Sequence, residues 1–514
     1  MNFQPTVFGG FLRLLPRFAA LSVLAAATAH AGDFVDTRIS IVLADDNLLA
    51  RSGETKINSP DVGFGATSGN TQFYDNFNTK FSGFESLSNI VLYKKSASYF
   101  DGFSGEAALA INVLMRPAGT IDFRDNSSYL KLNYRPAGWG EKEELSFTGF
   151  PVSSDRFRLG YAYRISWGGS SVFTNRALND GVPGARLQVT RDRWYAFAGL
   201  KTGLLLNDRT LEKERVYGAM LGGGYDISDT LRIEANGGYF QKGIVPGLAN
   251  QGIEAPVNAR GISTQLTWHV GVPVGTSIDF KLYRNDPEIF QKFFTPEQYP
   301  GGLSYSVSIE GAYLDQTLED PDVFAKTKIQ TATAVALQGR AKFNFLRVNI
   351  LALYRTLSYI QFDVPGIPPY KDFPTGTVQK PEMFVAIGAD YHFPGLHLTP
   401  GIILGIQQPA SFKSPSTLQG GNNPPAAVSG SRTVVLSGVN DFEILPTNFE
   451  ALPIISAKVN AKLDLSDYMS FIGELYYTRN PNRTTFRDSV AGIAEPSFEK
   501  EHALGFNLIM QARF

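Results

Sequence analysis

The sequence predicts an all-β protein: a transmembrane antiparallel β-barrel of about 16–20 strands, with about 18 as the best estimate. Three observations lead to this fold class. Most of the chain alternates between apolar and polar residues with a period of two, which is typical of strands with lipid on one side and water on the other. After residue 31 no long uninterrupted apolar stretch occurs, so spanning helices are not expected. Short connections alternate with long ones.

The predicted strands follow this alternation along the chain. In Leu303–Tyr313, for example, large apolar residues alternate with serine and glutamate. A soluble sandwich also alternates, but aromatic residues near strand ends favour a membrane barrel, where they form interfacial girdles. The predicted strands are Thr37–Asp45, Leu87–Lys95, Glu106–Arg116, Ser128–Arg135, Glu144–Phe150, Arg156–Trp167, Trp194–Leu206, Val216–Tyr225, Leu231–Phe240, Gly261–Val270, Ser277–Arg284, Leu303–Tyr313, Lys328–Gln338, Asn344–Arg355, Glu382–Tyr391, Leu396–Gln407, Ala457–Asp464, Tyr468–Thr478 and His502–Phe514.

The connections predict the orientation of the barrel. Tight turns such as Asp226–Asp229 and Leu465–Asp467 are expected at the periplasmic end, and long polar stretches at the extracellular end. Counting back from the C-terminus places the turn at 226–229 on the wrong side. One strand between Ser277 and Lys328 is therefore missed or wrongly assigned.

Two long connections stand out. The Gly- and Asn-rich segment 46–85 either folds into the lumen as a plug or constriction or stands outside as a loop, and the sequence leaves both open. The segment 409–452 contains a short β-like run and is predicted to be an external loop with a hairpin. We expect residues 32–514 to form a single barrel around these segments.

The N-terminus has the features of a secretory signal peptide. Arg13 and Arg17 precede a short apolar run, which ends in Ala29-His30-Ala31. The alternative is an N-terminal anchor helix, but the run is short of the ~20 apolar residues that span a bilayer. We therefore predict a signal peptide over residues 1–31, cut before Gly32.

The C-terminal strand ends in an aromatic residue. In His502–Phe514 the even positions are mainly apolar, and the odd positions are mainly small or polar. The terminal Phe514 resembles the C-terminal signal by which Gram-negative outer-membrane barrels are recognised for assembly. The resemblance implies an outer-membrane protein, porin-like in type, whose partners are the outer-membrane lipid bilayer and the outer-membrane assembly machinery.

Composition excludes several classes of function. The chain of 514 residues has no cysteine, which removes disulfides, thiolate chemistry and cysteine-ligated metals. Its formal net charge of -1 gives no overall field for binding nucleic acid. His392 and His397 flank a tight turn, but without a third ligand at convincing spacing they do not predict a metal site. No catalytic constellation and no cofactor is predicted.

The lumen is predicted to carry a basic excess. Arg156, Arg158 and Arg164 share one face of a predicted strand and resemble the basic ladders that line pores in the porin family. They either act in permeation or pair with acids on neighbouring strands and stabilise the wall. The predicted pore-lining residues are Arg156, Arg158, Arg164, Arg232, Glu234, Asp279, Lys281, Glu310, Arg347, Lys458 and Lys462.

Three functions fit these features. The first is a porin-like channel for passive diffusion of small hydrophilic solutes, with anions favoured by the basic lumen. The second is a dedicated outer-membrane barrel of an envelope machine for polysaccharide export, motility or adhesion. The third, with least support, is a structural or enzyme barrel with a sealed lumen. A homo-oligomer and an envelope-complex partner are both compatible with the sequence, which does not name the solute.

Overall fold

The computed structural model describes most of the chain after residue 33. The described residues are 34–45, 47–49, 61–64, 88–115, 121–125, 128–152, 157–169, 172–173, 181–207, 210, 212–271, 301–363, 370–413, 431–435, 442–488 and 494–513. The predicted signal peptide, most of segment 46–85 and Phe514 lie outside these ranges.

Almost all of the regular structure is β-strand. The described part of the chain contains two short α-helices, α1 (Pro246–Ala249) and α2 (Leu357–Asp363). The strands are β1 (Phe34–Asp45), β2 (Asp61–Phe64), β3 (Ser88–Ala97), β4 (Phe103–Met115), β5 (Ile121–Asp125), β6 (Tyr129–Tyr134), β7 (Glu144–Phe150), β8 (Gly184–Thr190), β9 (Trp194–Leu206), β10 (Lys213–Ser228), β11 (Leu231–Ile244), β12 (Pro256–Val270), β13 (Leu303–Glu319), β14 (Thr327–Phe343), β15 (Leu346–Arg355), β16 (Val378–Lys380), β17 (Glu382–Tyr391), β18 (Leu398–Gln408), β19 (Ala410–Lys413), β20 (Arg432–Val435), β21 (Phe442–Ile444), β22 (Ile454–Ser466), β23 (Met469–Arg479), β24 (Thr484–Asp488), β25 (Ala494–Phe498) and β26 (His502–Arg513).

Strand pairing joins the two ends of the large sheet. β1 pairs with β3 on one side and with the C-terminal β26 on the other, in a register that sets Leu43 opposite Leu508. Following the pairs from β1 returns to β1 through eighteen antiparallel strands: β1, β3, β4, β6 to β15, β17, β18, β22, β23 and β26. The predicted antiparallel barrel of 16–20 strands is confirmed, and a ring leaves no long edge unpaired.

The outer face of the ring is apolar and bounded by two aromatic belts. Tyr217 and Tyr225 stand eight residues apart on the outer face of β10, as do Tyr305 and Tyr313 on β13. At ~3.3 Å per residue and a tilt of ~40° this separation spans roughly 20 Å across the wall, close to the ~25 Å apolar band of membrane barrels. Large apolar side chains such as Leu221, 65% exposed, fill the band between the belts.

The C-terminal strand has the predicted faces. Along β26 the even positions, including Leu508 and Met510, are more exposed than the odd positions, such as Asn507 and Gln511, which are buried. The alternation that identified this strand from the sequence therefore separates a lipid-facing side from an inner side.

One predicted wall strand is not part of the ring, and a second lies outside the described residues. Arg156–Trp167 was predicted to be a strand, but its described residues form a connection between β7 and β8 that contains a 3-10 turn at Tyr163–Ile165. The wall position belongs instead to β8, Gly184–Thr190, which was missed. The predicted strand Ser277–Arg284 lies outside the described residues. Because β12 pairs directly with β13, the turn at 226–229 lies at the same end of the ring as the turn between β22 and β23.

Additional structure lies where long connections leave the ring. β16, β19, β20 and β21 form a small sheet, and β24 pairs with β25. Phe373, Phe412 and Val435 pack with α2 beneath the small sheet. Glu450 accepts hydrogen bonds from Lys380 at 2.8 Å and from Arg432 at 3.0 Å, which joins the β15–β17 connection to the β18–β22 connection. We call this the long-loop end. Membrane barrels expose this end to the outside of the cell.

Candidate functional site in the barrel lumen

A loop that follows β7 turns inward and lies inside the ring. We call its described residues, 157–169 and 172–173, the lumen loop. Leu159 and Trp167 exchange two backbone hydrogen bonds of 2.7 Å, which fold this stretch into a narrow turn. Positive φ angles at Gly160 and Gly168 flank the turn and suit glycine. Because Leu159 and Trp167 are buried almost completely, the loop packs against the wall.

Aromatic contacts hold one face of the lumen loop to the wall. The Trp167 ring meets Phe240 of β11 edge-on at a centroid distance of 5.8 Å and Phe362 of α2 at 6.2 Å. Phe157 makes a similar contact with Phe197 of β9 at 5.9 Å. Such pairs contribute beyond the burial of apolar area. The loop therefore has a core of its own against strands β9 to β11.

Glycine on the wall makes room for this core. A Cβ atom at Gly199 of β9 would lie 2.3 Å from the Phe157 ring, and one at Gly238 of β11 would lie 2.7 Å from the Leu159 side chain. These separations are too short for any side chain. Glycine at these lumen-facing positions therefore leaves the space that the side chains of the lumen loop occupy.

Polar side chains of the wall bind the backbone of the lumen loop. The buried Glu310 carboxylate on β13 accepts hydrogen bonds from the backbone N–H groups of Tyr161, at 3.1 Å, and Ala162. Asn236 on β11 accepts one from the Gly160 N–H at 3.0 Å. Hydrogen bonds to a charged group contribute more than neutral ones, about 1.5–3 kcal/mol each. Glu310, predicted to line the pore, is a fastening point for the loop.

The loop also reaches the strands farther round the ring. Arg355 of β15 donates to the Arg164 backbone carbonyl at 3.3 Å and forms an ion pair with Glu382 of β17 at 2.5 Å. The Arg164 guanidinium stands over the Phe384 ring at 4.8 Å. The Tyr359 hydroxyl of α2 donates to a loop carbonyl as well. The loop thus crosses the lumen from the β7–β8 side towards β17.

Most predicted wall residues that the structure describes are paired on the lumen face. Glu234 accepts a hydrogen bond from Tyr195 at 2.8 Å. The ion pairs are Arg232 with Asp226 (2.5 Å), Arg347 with Asp390 (2.7 Å), Lys458 with Glu474 (3.0 Å) and Lys462 with Asp464 (2.8 Å). Arg158 and Arg164 are on the lumen loop and partly exposed, rather than on the wall. Arg156, Asp279 and Lys281 lie outside the described residues.

Three groups at this site were not predicted from the sequence. Arg186 lies on the missed strand β8, where alternation with Ala185 and Leu187 is present in the sequence and could have revealed it. Tyr359 and Phe362 belong to α2, which lies in one of the long polar stretches expected at the extracellular end. A short helix within a long polar connection leaves little signal in the sequence.

The described residues contain no group of three or more His, Asp or Glu side chains arranged to hold a metal ion. His392 Nδ1 and the Thr399 hydroxyl form a hydrogen bond of 2.9 Å across the turn between β17 and β18. No helix in the described part of the chain is both long enough and apolar enough to cross a membrane.

An even-numbered ring of antiparallel strands, an apolar outer face between aromatic belts and a polar inner face define a membrane-spanning β-barrel of the kind found in bacterial outer membranes. The structure adds a loop fastened within the ring.

Comparison with known proteins gives matches to solved structures alone. The chain is similar to OpdQ of Pseudomonas aeruginosa (9% identity, TM-score 0.44, 94% of this chain and 97% of that chain). It is also similar to the outer membrane protein opdK of Pseudomonas aeruginosa (9%, 0.43, 93% and 98%) and to outer-membrane expressed OmpT of Vibrio cholerae (9%, 0.36, 95% and 99%). No protein-family model and no curated protein sequence matches the chain. At these identities and TM-scores none of the three is a guide to individual residues.

Proposed function

We propose that the protein is an outer-membrane channel through which small hydrophilic solutes diffuse, and that the lumen loop narrows its passage. The observation that carries this proposal is the loop itself, which hydrogen bonds to Asn236 of β11, Glu310 of β13 and Arg355 of β15 hold inside the ring. A ring of eighteen strands is wide enough for water to pass unless something fills it. A loop that takes up part of the lumen converts a wide pore into one that selects by size and charge.

The two ends of the chain fit export to this membrane. We propose that residues 1–31 are removed as a signal peptide and that Phe514 serves as the assembly signal. β26 precedes Phe514 directly and joins β1, so assembly that starts from the C-terminal strand would end with closure of the ring.

We further propose that anions are the favoured solutes. Lys458 on β22 and Arg347 on β15 each contact a carboxylate at 3.0 Å or less, so much of the wall's positive charge is balanced locally. Arg158 and Arg164 sit on the partly exposed side of the lumen loop, where their charge acts on the passage. Cationic groups in a low-dielectric passage attract anions and raise their local concentration.

Planar-bilayer recording tests both parts of the proposal. The purified protein is expected to give steady single-channel openings, and its reversal potential in a KCl gradient should lean towards the chloride value. In the double variant Arg158→Ser, Arg164→Ser the reversal potential should move towards potassium while the channel still opens. The matched control is Arg479→Ser, at an exposed arginine where β23 leaves the ring.

Each other result contradicts part of the proposal. An unchanged reversal potential in the double variant, or an equal change in the control, would exclude the loop arginines as determinants of selectivity. A correctly folded barrel that never conducts would reject the channel itself.

The second candidate is a dedicated barrel of an envelope machine. It is favoured by the folded structure at the long-loop end, where β16, β19, β20 and β21 form a sheet with a buried core. Such a surface could serve a partner protein. Closed, non-conducting barrels that copurify with one defined partner would support this candidate over a channel.

A further inference from the structure

The lipid-facing side of the wall has a depression that the surrounding side chains leave empty. Its volume is about 830 Å³, and it lies over strands β7–β12. Large outward side chains surround it, among them Leu187, Leu221 and Ile262, while much of its floor is alanine and glycine. Ligand sites commonly have volumes of ~300–1,000 Å³. The depression is therefore large enough for a defined apolar occupant.

Two arginines project outward above this depression. Arg260 on β12 has a side chain that is 65% exposed, and the strand register sets it opposite Tyr239 in the aromatic belt nearer the long-loop end. Arg215 on β10 is exposed and lies two residues beyond Tyr217 of the same belt. The belts mark the level of the lipid headgroups. Both guanidinium groups therefore stand where the headgroups of the outer leaflet meet the wall.

The charge around the two arginines is positive. Lys213 is a further exposed position on the outer face of β10. A carboxylate oxygen of Asp315 lies 3.3 Å from the Arg260 Nε, and Glu212 is exposed at the adjoining turn. These two acidic residues reduce the net positive charge of the three basic residues but do not reverse it. Arg260 lies level with Ala219 of β10, four residues along that strand from Arg215, so the Cα atoms of the two arginines are roughly 16 Å apart across one intervening strand. Two long side chains at that spacing reach a single headgroup.

We propose that this face binds a phosphate-bearing lipid of the outer leaflet. Its phosphate binds Arg215 and Arg260, and an acyl chain fills the depression between Leu221 and Ile262. The planar guanidinium group suits phosphate because it donates two parallel hydrogen bonds. Charge and shape then act together, since the basic groups lie directly beyond the open end of an apolar groove. This site is independent of conduction through the lumen.

Native mass spectrometry of the purified full-length barrel tests the site. The protein in detergent is titrated with phosphatidic acid and, separately, with phosphatidylcholine. Wild type is expected to retain one phosphatidic acid in preference to phosphatidylcholine. A basic residue near a membrane surface adds about 1 kcal/mol to anionic lipid binding, so Arg215→Gln, Arg260→Gln should weaken phosphatidic acid binding by about thirty-fold.

Matched variants separate the two parts of the site. Ala219→Phe fills the floor and should weaken both lipids, whereas Ala352→Phe, at an outer-face alanine on β15, should change neither. Arg479→Gln controls for the loss of positive charge. Equal binding by wild type and the double glutamine variant, or an equal loss in Arg479→Gln, would overturn the proposal. So would association of barrels that Ala219→Phe abolishes while lipid binding persists, because the face would then be a contact between copies. Heat-dependent gel mobility confirms that each variant is folded.

Discussion

Trp167→Ala should release the lumen loop while leaving the barrel intact. Trp167 is almost fully buried, packs on Phe240 and Phe362, and donates its indole N–H to the Ser263 hydroxyl at 3.0 Å. Replacing a buried tryptophan by alanine costs about 3–5 kcal/mol, from lost transfer energy and the cavity that remains. Because these contacts join the loop to the wall, their loss should weaken the attachment of the loop and leave the ring itself stable. An equilibrium between attached and detached loop should shift by roughly two to three and a half orders of magnitude.

Single-channel recording detects this shift as larger conductance or as frequent steps between two levels. Trp268→Ala is the matched control, since this tryptophan lies on the outer face and contacts Tyr305 at 5.3 Å. It should leave conductance unchanged. If Trp167→Ala conducted as wild type does, with the ring folded, the loop would not limit the passage. If both variants changed conductance alike, the effect would not come from the lumen.

Two further predictions concern charge pairs. Lys458→Met removes one partner of the fully buried Lys458–Glu474 pair and should lower the free energy of unfolding by about 3–5 kcal/mol. The double variant Lys458→Met, Glu474→Leu should recover much of that loss, as measured by chemical denaturation of wild type, the single variant and the double variant. A double variant as unstable as the single variant would argue against this account. The pKa of Glu450 lies below its ordinary value, chiefly because Lys380 donates a hydrogen bond to its carboxylate, so this contact is fully present above about pH 4.5 and is lost as the pH falls through the lowered pKa. An NMR titration of the Glu450 carboxyl carbon should show this low midpoint, and Lys380→Ala should raise it. An unchanged midpoint in Lys380→Ala would show that the hydrogen bond from Lys380 does not cause the low pKa of Glu450.

The wall could be predicted from the sequence because lipid and lumen impose opposite polarity on successive residues. Leu303–Tyr313 of β13 and Leu504–Ala512 of β26 illustrate this, since mainly apolar outer positions alternate with less exposed inner positions. The strand number was also accessible, because each strand needs a separate alternating segment. Pairing partners follow from chain order, but the join between β1 and β26 required the structure.

The lumen loop was mistaken for a strand for a physical reason. One of its faces packs against the wall, with Phe157, Leu159 and Trp167 buried, and the residues between them include Arg158 and Arg164 on the opposite side. Large apolar residues alternate with small or charged residues along this packed loop, so its sequence has the same period of two as a strand between lipid and water. Period-two polarity reports two environments and does not identify them. Two features of the sequence could have corrected this prediction: the connection between β7 and β9 is long, and it contains the alternating segment that forms β8.

The division of charge between wall and loop follows from the cost of burying ions. A charge on a wall strand is held in a fixed row, where a carboxylate on the next strand satisfies it, as Glu382 satisfies Arg355 and Asp390 satisfies Arg347. Such pairs stiffen the inner face but leave little net field. Arg158 and Arg164 are carried by the loop and not by a wall strand, although the Arg164 guanidinium also acts electrostatically on the Glu382 carboxylate. Selectivity in this barrel is therefore expected to respond to substitutions of Arg158 and Arg164 on the loop far more than to paired substitutions on the wall.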